Sequence, residues 1–590
     1  MNYFDQPTIW FLLEKVHNAK NVLEFQSFKE YDKESIKEFI NSVISLSDRV
    51  LYPSFKEMDE EPAVFENGKI KLHHAVKEYV EKAGDLGLIA AIINAEHGGL
   101  QLPSIYYNAA VFILESANNH LPGYCGLTAG AANLIATFGN RELKDTYLQK
   151  MMAGHWTGTM CLTEPQAGSS LSDITTKATP QEDGSYQLEG QKIFISGGDN
   201  DFSENIIHLV LARIKGAPAG TKGISLFVVP KNIQTSDGFK NNGVETLADF
   251  QKLGQRGYCT VHLGFGSNGI CKGWIVGEPN MGLTYMFQMM NEARIAVGRG
   301  AVSIASAAYH ASLDYAKIRA QGRRLSSSGK KDVSEEQTLI INHPDVRRML
   351  FFQKAIVEGS LSLIFQTSYY EDCLHNAEGE EKEHYHLLLE ILTPITKTYP
   401  SEKGQESVNT GLQVLGGYGF CSDFILQQYY RDIRISSLYE GTTGIQSLDL
   451  LGRKITMNDG KAFQLLIAEI QITIERARQI DATIKYAEIL VEKIDVIQQT
   501  LKVLLARARH GNHEYFLANA TLFMQLMGTL VIGWQWLKIG CVCENESNFE
   551  KSKIETMKYF FVHEIPSIDS LSNTLINDEG ITILNPSMEF

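Results

Sequence analysis

At 590 residues, with 44% hydrophobic and 21% charged side chains, the chain exceeds what one hydrophobic core serves, and its make-up excludes a disordered or low-complexity protein. Sixty-nine acidic against 54 basic residues give a net charge of −15, which opposes broad binding along a phosphate backbone, so no nucleic-acid partner is expected. The eight cysteines (125, 161, 259, 271, 373, 421, 541 and 543) lack the paired spacing of a zinc site or disulfide framework. Residues 1–5 show no basic stretch leading into an apolar run, and a cytoplasmic, bacterial setting is expected.

Apolar residues at three- and four-residue steps, in Ile36-Phe39-Ile40-Val43-Ile44 and in Val76-Tyr79-Val80, predict helices over the first 156 residues. The apolar, small-residue-rich stretch 109–138 predicts one closely packed core helix. From 157 to 277, short β-rich runs at 186–188, 192–195, 206–212, 224–229 and 260–265 alternate with turn residues and predict a compact β domain. Helical periodicity resumes at Leu283 and continues through 349–370, 385–399 and 402–415, a bundle over 278–455. Beyond Arg453-Lys454 a further helical domain, 456–590, ends in a weakly patterned tail. Within it, residues 515–537 carry no charge and are long enough to span a bilayer. Asn519, Thr521, Gln525, Thr529 and Gln535 favour a buried helix and no stable membrane insertion, with a membrane-associated protein as the alternative.

Leu438-Tyr439-Glu440-Gly441-Thr442-Thr443-Gly444-Ile445-Gln446 places one carboxylate in an apolar, glycine-turned setting, just beyond Gly416-Gly417-Tyr418-Gly419. Desolvation by Leu438, Tyr439 and Ile445 would raise the pKa of Glu440 towards that of a general base. The alternative is a Glu capping a helix start. Two earlier stretches belong with it: Cys161-Leu162-Thr163-Glu164-Pro165-Gln166-Ala167-Gly168-Ser169 and Gly190-Gln191-Lys192-Ile193-Phe194-Ile195-Ser196-Gly197-Gly198. With Gln413-Val414-Leu415-Gly416-Gly417-Tyr418-Gly419 they make four motifs whose order and spacing, over about residues 40–455, resemble the acyl-CoA dehydrogenase flavoproteins.

That resemblance implies an α+β fold of N-terminal helical domain (41–156), central β domain (157–277) and C-terminal helical bundle (278–455). Residues 1–40 and 456–590 would be the extensions of the larger family members, which act on long-chain, very bulky or methylthio-substituted acyl-CoAs. The implied reaction is α,β-dehydrogenation of an acyl-CoA thioester: Glu440 takes the α proton, FAD takes the β hydride, and an electron-transfer flavoprotein receives the electrons. An acyl-CoA oxidase giving electrons to dioxygen is the close alternative, and a non-catalytic, DNA-associated flavin protein of this fold the distant one.

By the same resemblance Cys161, Leu162, Thr163, Gly168 and Ser169 would meet the flavin ring and pyrophosphate, and Phe194, Ile195 and Ser196 would cover the ring. Arg319 would reach the FAD pyrophosphate of a neighbouring subunit, Gln413, Gly416, Gly417 and Gly419 would meet the same cofactor, and Thr442 and Gly444 would lead towards its adenine half, so a homodimer is implied. An exposed cation without that role is the alternative for Arg319. Ser169, Asn291, Arg294, Tyr439 and Gly441 would contact the acyl-CoA. Some members place the base immediately before the arginine matching Arg294; here Ala293 stands there, and Glu292 is expected to be a solvated or salt-bridged helix residue. Bulky Tyr258 occupies a usually small position and would either shape the acyl pocket or pack internally. The pairs His384/His386 and His510/His513 read as solvated or structural, with no metal expected.

Overall fold

The computed structural model describes residues 2–583 apart from Ser326, Asp332 and Asn545, with the side chains of 287–290 also left aside; the expected weakly patterned tail carries a helix, Ser567–Asn577, and only its last seven residues lie outside the described residues. The chain forms two compact units, Ser27–Ala293 and a second made of residues 1–26 with Arg294–Phe590.

In the first unit the apolar runs pair into an eight-stranded sheet. Its order is Val244–Asp249, Thr260–Phe265, Tyr186–Ser196, Lys272–Ile275, Ile224–Pro230, Asn205–Ile214 and Trp156–Cys161, with Lys177–Pro180 pairing to Tyr186–Ser196 and Asn205–Ile214. The pairing is antiparallel except where Trp156–Cys161 and Lys177–Pro180 run parallel to Asn205–Ile214. Ile224–Pro230 is buried at every position, which is why it reads as a continuous apolar run and not as an alternation. The predicted runs 186–188 and 192–195 are one strand, Tyr186–Ser196, carried through the polar residues between them by its partners.

The core joins this sheet (Ile207, Leu209, Leu226, Val228) to helices Pro122–Phe138 and Arg141–Met152 through Ala131, Ile135, Leu148 and Met151. The approach is close at Gly158, where a Cβ would stand 2.8 Å from Ala131 Cβ and Met151 Cε. The single helix expected over 109–138 is instead two, Ser104–Ala117 and Pro122–Phe138. Proline at the first turn starts the second, and buried Asn118 turns away from the first, donating to Leu51 O (3.1 Å) and Ser54 Oγ (3.1 Å).

In the second unit, Pro344–Asn376 packs along Gly379–Leu415. The latter is one helix where two were expected, and it continues through Pro394 and Pro400. Residues 391–401 are buried at every position, so packing outweighs the lost backbone hydrogen bonds. The helices after residue 460 pack on this pair within the same compact unit. His513–Gly540 is long and apolar enough to cross a bilayer, yet 67% of its most apolar window is buried inside the fold. Its Trp534 and Trp536 are buried and bonded, to Thr473 Oγ1 (2.8 Å) and Ala355 O (2.9 Å), and Gln535 accepts from Ser362 Oγ (2.8 Å). The polar residues that favoured a core helix are thus partly used as internal anchors.

Candidate active site

In the Ser27–Ala293 unit the first two motifs are locked together by a buried ion pair. Lys192 Nζ lies 2.9 Å from Glu164 Oε1 and 2.9 Å from Leu162 O, and Ile193 N donates to Thr163 O (2.9 Å). Glu164 also accepts from Thr175 N (2.6 Å) and Oγ1 (2.9 Å), Thr176 N (3.0 Å) and Oγ1 (2.6 Å), and Gln166 Nε2 (2.8 Å). Burial opposes ionisation of Glu164, but the Lys192 ammonium and these donors overcome it and hold the carboxyl at about 2. Gly168 and Ser169 are left exposed at the tip of the pinned loop, and a Cβ on Gly168 would meet only Thr163 Cγ2 at 3.5 Å.

Phe194 has a left-handed backbone (φ 58°) and is 58% exposed, its ring 4.5 Å from that of Phe250. A non-glycine residue in that conformation costs about 1–2 kcal/mol and is retained where a particular surface is needed. Ser196 is half-buried, but Ile195 turns its side chain into the core, and Cys161 is buried beside Thr159 and His208. Only the backbones of Ile195 and Cys161 are available to a ligand. Burial pushes the Cys161 thiol up to about 12 and His208 down to about 3, so this pair is not a nucleophile and its base. An exposed aromatic face, an open glycine turn and neutral backbone donors suit a flat ring bearing a diphosphate. Tyr258 packs edge-on to Tyr124 (4.7 Å), and a Cβ on Gly123 would stand 2.8 Å from its ring. Half-buried, the ring makes these packing contacts within this unit. Asn291 is half-buried near the end of this unit.

In the second unit Glu440 does not cap a helix. Thr442 caps Thr443–Asp449, its hydroxyl accepting from Ile445 N. Glu440 instead occupies a left-handed turn (φ 54°) followed by Gly441 (φ 85°). The turn is held from three sides: Lys397 Nζ donates to Gly441 O (2.8 Å), Gln446 Nε2 to Glu440 O (3.0 Å), and Thr443 Oγ1 to Glu402. Surrounding protein raises the Glu440 carboxyl above its usual range, while Arg294 and Lys397 draw it back. The residue stays solvent-accessible. Of the three apolar neighbours expected to desolvate it, Leu438 and Tyr439 are 49% and 37% exposed and Ile445 is half-buried. Arg294 is buried and paired with Asp449 (3.3 Å). In the other unit, Glu292 is half-buried and not fully solvated as one expectation had it, and desolvation pushes its carboxyl up to about 7.

Arg319 and the Gln413–Gly419 motif, far apart in sequence, also meet in this unit. The Arg319 guanidinium lies 5.8 Å from the Tyr418 ring centroid, beside Tyr315 and Phe424. Gln413, Gly416 and Gly417 are exposed, and Gly416 has φ 59°. Nothing in the chain lies within 4 Å of a Cβ on Gly417, so its own fold does not require glycine there. By contrast a Cβ on Gly419 would collide with Leu412 O at 2.2 Å. Gly444, at the first turn of the helix after the base, meets only Thr442 Oγ1 at 3.8 Å. Sequence reading missed Lys397, Glu402, Gln446 and Asp449 here, and Glu164 with Lys192 in the other unit. A usable signal existed for Lys397, a lone cation in the run Ile391-Leu392-Thr393-Pro394-Ile395-Thr396-Lys397-Thr398-Tyr399.

The acyl-CoA dehydrogenase N-terminal, middle and C-terminal domain families match residues 33–155, 159–267 and 280–455, and the acetyl-CoA dehydrogenase C-terminal-like family matches 466–583. The chain is 35% identical over 590 residues to the 3-methylmercaptopropionyl-CoA dehydrogenase of Ruegeria pomeroyi, covering 98% of each. It is 32% identical to the broad-specificity linear acyl-CoA dehydrogenase FadE5 of Mycobacterium tuberculosis, covering 96% of this chain and 97% of that one. In fold it matches the FAD complex of an acyl-CoA dehydrogenase from Bacillus anthracis, with a TM-score of 0.72 at 20% identity over 94% of this chain and 90% of that chain. The chain belongs to the acyl-CoA dehydrogenase family of FAD-dependent oxidoreductases, in the form that carries an additional C-terminal domain.

Proposed function

We propose that the protein dehydrogenates a saturated acyl-CoA to its trans-2-enoyl-CoA, with Glu440 as the base that removes the α proton. The observation that carries this reading is the Glu440 turn itself: a carboxyl with a raised pKa, accessible to a ligand, in the field of two cations, Arg294 and Lys397. A carboxylate in that setting is a stronger base than one in water, and Arg294 and Lys397 keep enough of it ionised to act. The Glu440 backbone N–H would donate to the thioester carbonyl as negative charge develops there. Arg294, Asn291, Tyr439, Gly441 and Ser169 would position the thioester and pantetheine.

FAD would be held by the backbone of Cys161, Leu162, Thr163 and Ile195, by Gly168, Ser169 and Ser196, and by the Phe194 face. When bound it supplies the acceptor for the β hydride, which no side chain can be. Arg319, Gln413, Gly416, Gly417 and Gly419 would complete the cofactor site of a second copy, with Thr442 and Gly444 towards the adenine end. Supporting a homodimer, Ile318, Tyr418 and Phe420 stand 78%, 48% and 98% exposed around Arg319, an apolar surface suited to burial against a partner. The two relatives above, and a Syntrophomonas wolfei butyryl-CoA dehydrogenase 32% identical, are named for short, methylthio-substituted or linear acyl-CoAs. Such substrates, electron transfer to an electron-transfer flavoprotein and a cytoplasmic setting complete the proposal.

Anaerobic titration of the flavin-loaded protein with short, long, branched and methylthio-substituted acyl-CoAs, following flavin bleaching, tests it. Glu292, one residue from the position that holds the base in some family members, also has a raised pKa, so Glu440→Gln and Glu292→Gln are compared. Loss of bleaching in Glu440→Gln alone, with FAD and acyl-CoA still bound, is expected. Loss in Glu292→Gln alone would transfer the role of base to Glu292.

A further inference from the structure

We propose that Lys397 is the positioning residue of the base turn: its ammonium ties down the carbonyl after Glu440 and supplies the positive charge that sets the pH at which the carboxylate becomes available. This rests on the reading of Glu440 as the base.

Lys397 lies on Gly379–Leu415, the helix that also brings Glu402 to Thr443. Its side chain is completely buried, and Nζ donates to Gly441 O at 2.8 Å. Among the described residues no carboxylate forms a contact ion pair with it. Glu440 and Glu402 attract it from further away, and Arg294 repels it. A buried lysine satisfied chiefly by a carbonyl is an expensive arrangement, and fold stability alone does not account for it, because an apolar residue would pack there at lower cost. Burial lowers its pKa to about 8, with Glu440 and Glu402 raising it and Arg294 lowering it further, so it remains mostly charged at neutral pH.

The turn needs such a hold. Two successive left-handed residues, Glu440 and Gly441, direct their carbonyls away from any helical partner, and a non-glycine residue there is strained. Gln446 secures the first carbonyl and Lys397 the second. Only Lys397 brings charge. Arg294, the other cation acting on Glu440, is already paired with Asp449, which also holds Arg453 at 3.2 Å. Part of the Arg294 field is therefore neutralised, and Lys397 is the cation whose nearest partner is the base turn itself. Glu402, on the same helix and bonded to Thr443, is the opposing charge nearby.

The test separates the hydrogen bond from the charge and does not need turnover. In a 3-thiaacyl-CoA the β-methylene is sulfur, so no β hydride exists, yet the base can still move the α proton from carbon to its carboxylate and return a deuteron from D2O. Exchange is followed by mass spectrometry against pH for FAD-loaded wild type, Lys397→Arg, Lys397→Gln and Lys397→Met, with flavin content confirming the fold. Lys397→Arg should keep the wild-type profile. Lys397→Gln and Lys397→Met should move the acid limb up by about half to one pH unit, a three- to tenfold loss of exchange on that limb. Acid limbs of Gln and Met that coincide with wild type would overturn the proposal, even if exchange were uniformly slower, since that would be a purely structural effect. If Lys397→Met does not fold, the comparison of Gln with Arg decides. Absence of exchange in FAD-loaded wild type would instead overturn Glu440 as the base, and this inference with it.

Discussion

Replacing Glu164 by glutamine tests whether the buried pair pins the flavin loop. The substitution keeps shape and the ability to accept from Thr175 and Thr176, but leaves the Lys192 ammonium, 0% exposed, facing a neutral group. Breaking one side of a buried pair costs about 3–5 kcal/mol. The carboxyl itself gives a similar figure: moved from 4.5 to about 2, it holds about 3 kcal/mol of folding free energy. For Lys192, burial outweighs the pull of Glu164 and lowers its pKa, so it can shed its proton in the variant, which places the expected loss at the lower end. Urea unfolding, with flavin release and circular dichroism as separate probes because a two-unit chain need not unfold in one step, reads the effect. Glu164→Gln should lose about 3 kcal/mol in the flavin-release transition and weaken FAD binding at least tenfold, about 1.4 kcal/mol. A folded pKa below the unfolded one contributes stability above about pH 4.5 that is lost as pH falls towards 2, so wild type and variant should converge across that window. Glu164→Leu with Lys192→Met, which removes both charges, should recover most of the loss. A Glu164→Gln protein within about 1 kcal/mol of wild type, with unchanged FAD affinity, would refute the reasoning.

Glu440→Gln should lower kcat by about 10²- to 10⁴-fold while acyl-CoA and FAD affinities, read by titration, stay near wild type. The acid limb of wild-type kcat/KM should lie above the ordinary carboxylate range, following the raised Glu440 carboxyl. Gly417→Ala should leave thermal unfolding of the FAD-free protein within about 0.5 kcal/mol, since its Cβ meets nothing in the chain, yet reduce FAD retention and self-association measured by ultracentrifugation. Trp536→Ala should cost about 3–5 kcal/mol in denaturant unfolding, because a fully buried ring and its bond to Ala355 O are both lost. Burial lowers His17 well below 6.5, so the unfolded chain binds a proton there that the folded one refuses, and wild-type stability should fall as pH drops below 6.5. His17→Gln, which can keep a bond to Ser362, should flatten that part of the profile.

The sequence by itself determined the family, the order of helical and β regions and the identity of the candidate base, because these are written in local chemistry. Turns that demand glycine, such as Gly416 and Gly441, and β-branched runs such as 206–212 announce themselves within a few residues. Only tertiary structure decided what surrounds them. Glu164 meets Lys192 across 28 positions, Arg294 meets Asp449 across 155, and Lys397 reaches Gly441 across 44. No pattern in a linear string marks which distant charge will close on which. The same holds for continuity: packing carried one helix through Pro394 and Pro400, where propensity alone predicts a break, while Pro122 and Asn118 divided an apolar stretch that periodicity joined. The raised pKa of Glu440 was anticipated from its apolar neighbours, but the opposing pull of Arg294 and Lys397, 146 and 43 positions away, was not. Electrostatic environment is a property of the assembled volume, summed over groups that the chain brings together only when it folds.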